Sequence, residues 1–208
     1  MKALLITLMI SLIMTGCGTK VDEKICTDIN DPKTCKIAST EVIDIKGLHT
    51  TAVDVLTALK NNDEKKLITL MSKDGIRFSP YNYVSDLDIV MTQTNIKDIT
   101  DSKKTQERGY KDGTGEPISM NFQDYRKRYI YDAKFMTDGV SYLNTKVQRG
   151  TVLNNIYDIY SGDTILEYYI PGTSKLYEGM DWKSLTIIFS KENKLRKIKG
   201  IVHGERTI

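Results

Sequence analysis

The feature that most constrains this chain is a strand pattern near its C-terminus, between Trp182 and His203. Apolar and polar residues alternate there on both sides of a break at Glu192-Asn193. Period-two alternation flanking a short turn predicts an antiparallel hairpin, Trp182–Lys191 with Lys194–His203. Pairing Lys191 with Lys194 sets Ile187 opposite Ile198, Leu185 opposite Gly200, Lys183 opposite Val202 and Trp182 opposite His203. Leu185, Ile187 and Phe189 then share a side with Ile198 and Val202. A slip of one residue would turn those side chains to opposite sides, so the pattern argues for one register. The other side is mixed: Ser184, Thr186, Lys197 and Lys199, but also Ile188, Leu195 and Ile201.

A second hairpin is expected just upstream, Thr151–Tyr160 with Thr164–Ile170, turning at Ser161-Gly162-Asp163, where Gly and Asp tolerate a positive φ. Pro171 lacks the N–H a ladder needs and ends that strand. Gly150 to Ile208 thus reads as four antiparallel strands.

Upstream the period becomes helical. Ile45, Leu48, Ala52, Val55, Leu56 and Leu59 recur at three and four from Glu41 onward, an apolar stripe on a helix of about 20 residues. Asn61-Asn62-Asp63 breaks it, and Asp63 is placed to cap a shorter helix carrying Lys66, Leu67, Leu70 and Met71. Asp74-Gly75 is a turn, and Ile76–Phe78 a short strand stopped by Pro80. Thr94–Ile99 suggests one more helical turn, and the charged stretch Thr100–Pro117 a hairpin or exposed loop. Asn121 precedes Phe122-Gln123-Asp124-Tyr125 as an N-cap, with Tyr125, Tyr129 and Ile130 as the buried side of a helix to about Tyr131.

The N-terminus has a different character. Lys2 is followed by the apolar run Ala3–Met14, of signal-peptide length and too short to span a bilayer, which takes roughly 20 residues. The run closes on Met14-Thr15-Gly16-Cys17 and resembles the lipobox of bacterial lipoproteins. That resemblance implies cleavage after Gly16, lipidation of Cys17 (palmitate among the acyl chains) and a membrane-tethered envelope protein. In a Gram-negative cell, Gly18 rather than Asp after the cysteine implies the outer membrane. In a Gram-positive cell the anchor implies the outer face of the plasma membrane.

An oxidising compartment suits the other two cysteines. Cys26 and Cys35 form an even pair within Lys24–Lys36, and a disulfide between them would close a loop of about 10 residues, worth about 2–3 kcal/mol. Two thiols with no nearby histidine fall short of a zinc ligand set. Residues 17–40 otherwise read as a polar tether. About 190 residues then remain after the leader, enough for one domain at 41–208. The net charge of +3 falls to about +2 without Lys2, and the basic residues are spread evenly, which leaves nucleic-acid binding unsupported.

Helix, short helix, strand, third helix and an antiparallel meander indicate an α+β fold with helices on a curved sheet. This order resembles the NTF2-like (cystatin-like) class, a cone of helices and sheet that can enclose a pocket. Gly179-Met180-Asp181-Trp182, Ser184-Leu185 and Gly200-Ile201-Val202-His203 resemble segments of uncharacterised secreted bacterial domains of that class. The resemblance implies no particular activity, since such folds serve enzymes, carriers and interaction modules alike.

Candidate chemistry is sparse. His203, set across from Trp182, with Asp181 next to that Trp, could be an acid/base with an orienting carboxylate. Alternatively Trp182 and His203 simply close the end of the sheet. His49 reads as a helix-surface or packing residue. Asp158 and Glu167 face each other on the upstream hairpin if its turn has two residues. Either a longer turn separates them or they share a cation or proton. Trp182, Glu167 and Asp158 are therefore candidate ligand contacts. No metal site, cofactor motif or nucleophilic triad is visible. Twelve tyrosines, among them Tyr81, Tyr83, Tyr157, Tyr160, Tyr168 and Tyr169, favour a binding surface. The sequence thus suggests a non-enzymatic envelope lipoprotein that binds a protein partner or small ligand. The competing reading is a hydrolase or isomerase using His203 or Asp181.

Overall fold

The computed structural model describes residues 23–26, 35–38, 44–149, 151–192 and 195–206. The segment expected to be a signal peptide, Cys17 and the turn at Asn193 lie outside the described residues. The chain divides into two units, Met1–Asp44 and Ile45–Ile208. In the first, β1 (Glu23–Cys26) and β2 (Cys35–Ala38) pair antiparallel, with Cys26 directly opposite Cys35.

The second unit is α+β, with one mixed six-stranded sheet. α1 (Ile45–Asn61) buries Leu48, Ala52, Val55, Leu56 and Leu59, as the stripe predicts, while Ile45 stays exposed. Asn62 takes a positive φ of 56°, and Asp63 N–H donates back to Ala58 O at 2.9 Å, closing the helix. α2 (Glu64–Leu70) begins where Asp63 accepts from Lys66 N–H at 3.0 Å, a cap worth about 1 kcal/mol. β3 (Ile76–Ser79) stops before Pro80 and pairs with β4 (Ile89–Met91). Gly75 between α2 and β3 has φ +93°, and a Cβ there would stand 2.4 Å from Met91 O, so only glycine fits. α3 (Ile96–Thr100) follows, then the hairpin β5 (Gln106–Tyr110) and β6 (Pro117–Met120). The buried Arg108 ties that hairpin down, donating to Met120 O and Ile99 O.

α4 (Phe122–Tyr129) starts at Asn121, whose side chain accepts from Asp124 N–H at 3.0 Å, and it buries Phe122, Tyr125 and Tyr129. Next come α5 (Phe135–Asp138), β7 (Val140–Leu143), α6 (Ile156–Ile159), β8 (Thr164–Ile170), β9 (Lys183–Glu192) and β10 (Leu195–Glu205). The sheet order is β4-β3-β10-β9-β8-β7, antiparallel except for β3 beside β10.

Two expectations fail here. Thr151–Tyr160 is not a strand: it contains α6, and the outer partner of β8 is β7. Ile156 and Tyr160, four apart, are both buried, so this segment turns one helical side inward rather than alternating.

The register of β9 and β10 also differs. Phe189 pairs with Ile198, Ile187 with Ile201 and Leu185 with His203. The turn lies one residue later than expected, and the extra residue Lys199 forms a bulge between Ile198 and Gly200. A bulge reverses the facing of everything beyond it. Ile198, Ile201, His203 and Glu205 therefore share a face with Leu185, Ile187 and Phe189, while Val202 is turned to the opposite face. Phe78, paired with Ile201, carries Phe122 of α4 against its ring at 5.7 Å, so this is the α4 face. The other, the α6 face, holds a cluster of Val84, Ile156, Tyr160, Ile165, Ile188 and Val202. Fully burying each of Ile187, Ile198 and Ile201 contributes about 1.5–3 kcal/mol.

Candidate functional site

His203 and Trp182 lie on opposite faces, because His203 is paired with Leu185 whereas Trp182 is in phase with Ser184. The expected pair is therefore not assembled. Trp182 is buried beside Tyr169, ring centroids 6.1 Å apart, and the Arg149 guanidinium lies 5.6 Å from its ring. Asp181 is exposed and closes the Gly172–Asp181 loop, accepting from the N–H groups of Thr173 and Ser174 at 3.1–3.3 Å. Desolvation opposes its ionisation, but the backbone donors together outweigh it and hold its carboxyl below the usual value. Asp158 is exposed on α6, away from any β8 pairing. Glu167 is buried in a two-pronged pair with Arg149, at 2.7 and 2.8 Å. Glu167 does have a cation, but Asp158 does not share it. His49 is exposed on α1.

His203 has a different carboxylate. The parallel neighbour β3 places Pro80 O 3.1 Å from His203 Nδ1, and a carbonyl can only accept, so Nδ1 carries the hydrogen. Nε2 stands 3.2 Å from Asp132 Oδ1, in contact but without hydrogen-bond alignment. The Lys183 ammonium holds the other Asp132 oxygen and lies 4.0 Å from Glu205, its cross-strand partner. Arg128 then clasps both Glu205 oxygens, at 2.6 and 3.1 Å, and stacks over Tyr129, whose ring meets His203 edge-on. Burial raises the Asp132 carboxyl, but His203 and Lys183 outweigh it and hold it below its ordinary value.

Asp132, His203 and Glu205 also bring one ligand atom each within 4.8 Å, a nitrogen and oxygen set that could hold a divalent transition cation. Lys183 and Arg128 already occupy those carboxylates, so the cluster carries its own cations. Its geometry is that of an ionic lock on the end of the sheet. The sequence held one missed signal: Lys183 is in phase with Leu185, Ile187 and Phe189, and a charge on an apolar face demands a partner.

Next to this lock is a cavity of about 240 Å3, whose wall Glu205 shares. Tyr81, Tyr83, Tyr110 and Leu153 give it an apolar lining, and Asn82, Asp88, Lys111 and Asp112 supply polar groups. Its framework is preformed. Asn155 holds Val84 in both directions, accepting from its N–H at 2.7 Å and donating to its carbonyl at 3.0 Å. Arg77 donates to Ser85 O at 2.6 Å, and Tyr81 meets Tyr129 edge-on at 5.8 Å. Burial, helped by Tyr129, raises the Tyr81 phenol and keeps it neutral. Tyr81 and Tyr83 were conspicuous in the sequence. Asp88, Tyr110 and Leu153 were not, since only the fold brings these three distant segments together. His203 does not line this cavity.

Comparison with protein-family models, with curated proteins and with solved structures finds no match. Among the described residues no helix is long and apolar enough to cross a membrane.

Proposed function

We propose that this chain is an envelope lipoprotein, held to the membrane through Cys17, whose second unit is a non-enzymatic domain that binds a small ligand. The tether rests on the order Lys2, apolar run, Thr15-Gly16-Cys17. The binding role is carried by one observation, the tyrosine-walled cavity of about 240 Å3 with a braced loop on its rim. Cavities with an apolar wall and a few convergent polar groups are the usual form of small-molecule sites. We further assign the domain to the NTF2-like architecture, on the strength of its helix pair, its α4 layer and its long antiparallel strands.

The competing acid/base reading fares worse. His203 is fully buried, with one nitrogen committed to Pro80 O and the other turned to Asp132, and Asp181 is occupied in a loop turn. A general base must reach the proton it moves.

Two measurements test the proposal. Cys17→Ala should lose the acyl mass and leave the membrane fraction, and unchanged partition of this variant would refute the anchor. A fragment library followed by protein-observed NMR should give hits whose shifts centre on Tyr81, Tyr83, Tyr110 and Leu153. Hits that map only elsewhere, or none at all, would remove the binding reading.

A further inference from the structure

Asp88 has one oxygen in use and one left over. Oδ2 accepts from Ser79 Oγ at 2.5 Å and from Ser85 N–H at 2.9 Å. Oδ1 takes no hydrogen bond from the described residues, although Asp88 is only 6 % exposed and lines the cavity. Opposite it is Gly109, where a Cβ would stand 3.4 Å from Oδ1, so the missing side chain leaves that oxygen open to approach. Oδ1 is not among the fully buried unpartnered atoms, so it is open to the cavity, and a ligand that donates to it there gains a charge-assisted hydrogen bond.

The charges around the cavity point to the sign of that ligand. Glu205 is neutralised by Arg128 and lies near Lys183, and Lys111 is neutralised by Glu116 at 2.8 Å. Arg77 acts on Asp88 through its charge, while one of its guanidinium N–H groups is donated to Ser85 O at 2.6 Å. Three tyrosines complete the wall, and aromatic rings attract cations through their negative faces. Burial raises the Asp88 carboxyl, against the hydrogen bonds from Ser79 and Ser85 and the charge of Arg77.

We propose that the cavity takes a small organic ammonium ion with an apolar body, its N–H donated to Asp88 Oδ1 and its charge faced by Tyr81, Tyr83 and Tyr110. The inference rests on reading the cavity as a ligand site and adds the chemical class of the ligand. An amine suits both halves of the lining: the carboxylate takes the head, and Leu153 with the tyrosines takes the body.

Three probes that share one body separate the outcomes: phenethylammonium, 2-phenylethanol and phenylacetate, titrated at pH 7 into the full chain and followed by NMR and calorimetry. The cation should bind about ten-fold tighter than the alcohol, and the anion weakest. Asp88→Asn, which keeps an acceptor for Ser79 and Ser85, should bring cation and alcohol to equal affinity without changing the circular dichroism spectrum. The order of the probes on the unaltered protein decides the matter should that variant fold poorly. Equal binding of all three at the cavity residues, or phenylacetate binding best, overturns the ammonium inference and leaves the cavity reading standing. Absence of binding by all three also overturns it, and the fragment library then decides separately whether the cavity binds anything.

Discussion

Replacing Asp132 with alanine tests whether the ionic lock holds the end of the sheet. The carboxylate is only 7 % exposed, with the Lys183 ammonium on one oxygen and His203 Nε2 at 3.2 Å from the other. A hydrogen bond to a charged group contributes about 1.5–3 kcal/mol net. Breaking a fully buried ion pair costs more, about 3–5 kcal/mol, because the surviving charge is stranded. Lys183 is 33 % exposed and has Glu205 at 4.0 Å, so it can relax and the upper range does not apply. The expected loss is therefore about 2–3 kcal/mol, or roughly 4–12 °C in melting temperature for a chain of this size. Urea and thermal unfolding followed by circular dichroism at pH 7 would read it. Asp132→Asn should recover part of the loss, since an amide oxygen can still face Lys183. The pH dependence has a definite sign. The folded carboxyl titrates below its unfolded value, so its stabilisation is present above that unfolded value, about 3.9, and vanishes as pH falls through the folded one. The gap between Asp132→Ala and the unaltered protein should thus narrow in acid. A gap under about 0.5 kcal/mol at pH 7 would refute the lock. A gap of equal size at both pH values would assign the cost to packing rather than charge.

Gly200→Ala should cost about 1–3 kcal/mol, because the new methyl would stand 2.8 Å from Tyr160 Oη and 3.1 Å from Ile188 Cδ1. Adding Tyr160→Phe should return part of this in urea melts, and strictly additive losses would contradict the contact. Cys26 and Cys35 face each other across the β1–β2 register, so non-reducing peptide mapping of protein from its native compartment should recover them linked. Free thiols at both positions would rule the disulfide out.

How far the sequence reaches is visible element by element. The stripe on α1, the Asp63 and Asn121 caps and the stop at Pro80 are local: each depends on residues within a turn or two, and each stands where the pattern places it. The β9–β10 hairpin was legible as a hairpin for the same reason. Its register was not, because the turn falls one residue later and one bulged residue changes every facing beyond it. Tyr160, just after α6, fills the space that Gly200 leaves open, and nothing near Gly200 in the chain announces that ring.

The candidate sites separate along the same line. That His203 needs a polar neighbour follows from its placement among apolar strand residues. That the neighbour is Asp132 and not Asp181 depends on β3 lying parallel to β10 and on the chain leaving α4 beside it. Such a pairing between distant segments carries no local signature. By itself the sequence determined α1, α2 and α4, the caps of α2 and α4, the strand-rich C-terminus and the amphipathic tyrosines, all set by short-range periodicity and backbone preference. Only the tertiary structure decided which face each residue beyond Lys199 takes, which charges meet and which distant segments enclose the cavity, because those follow from contacts between elements that no local pattern encodes.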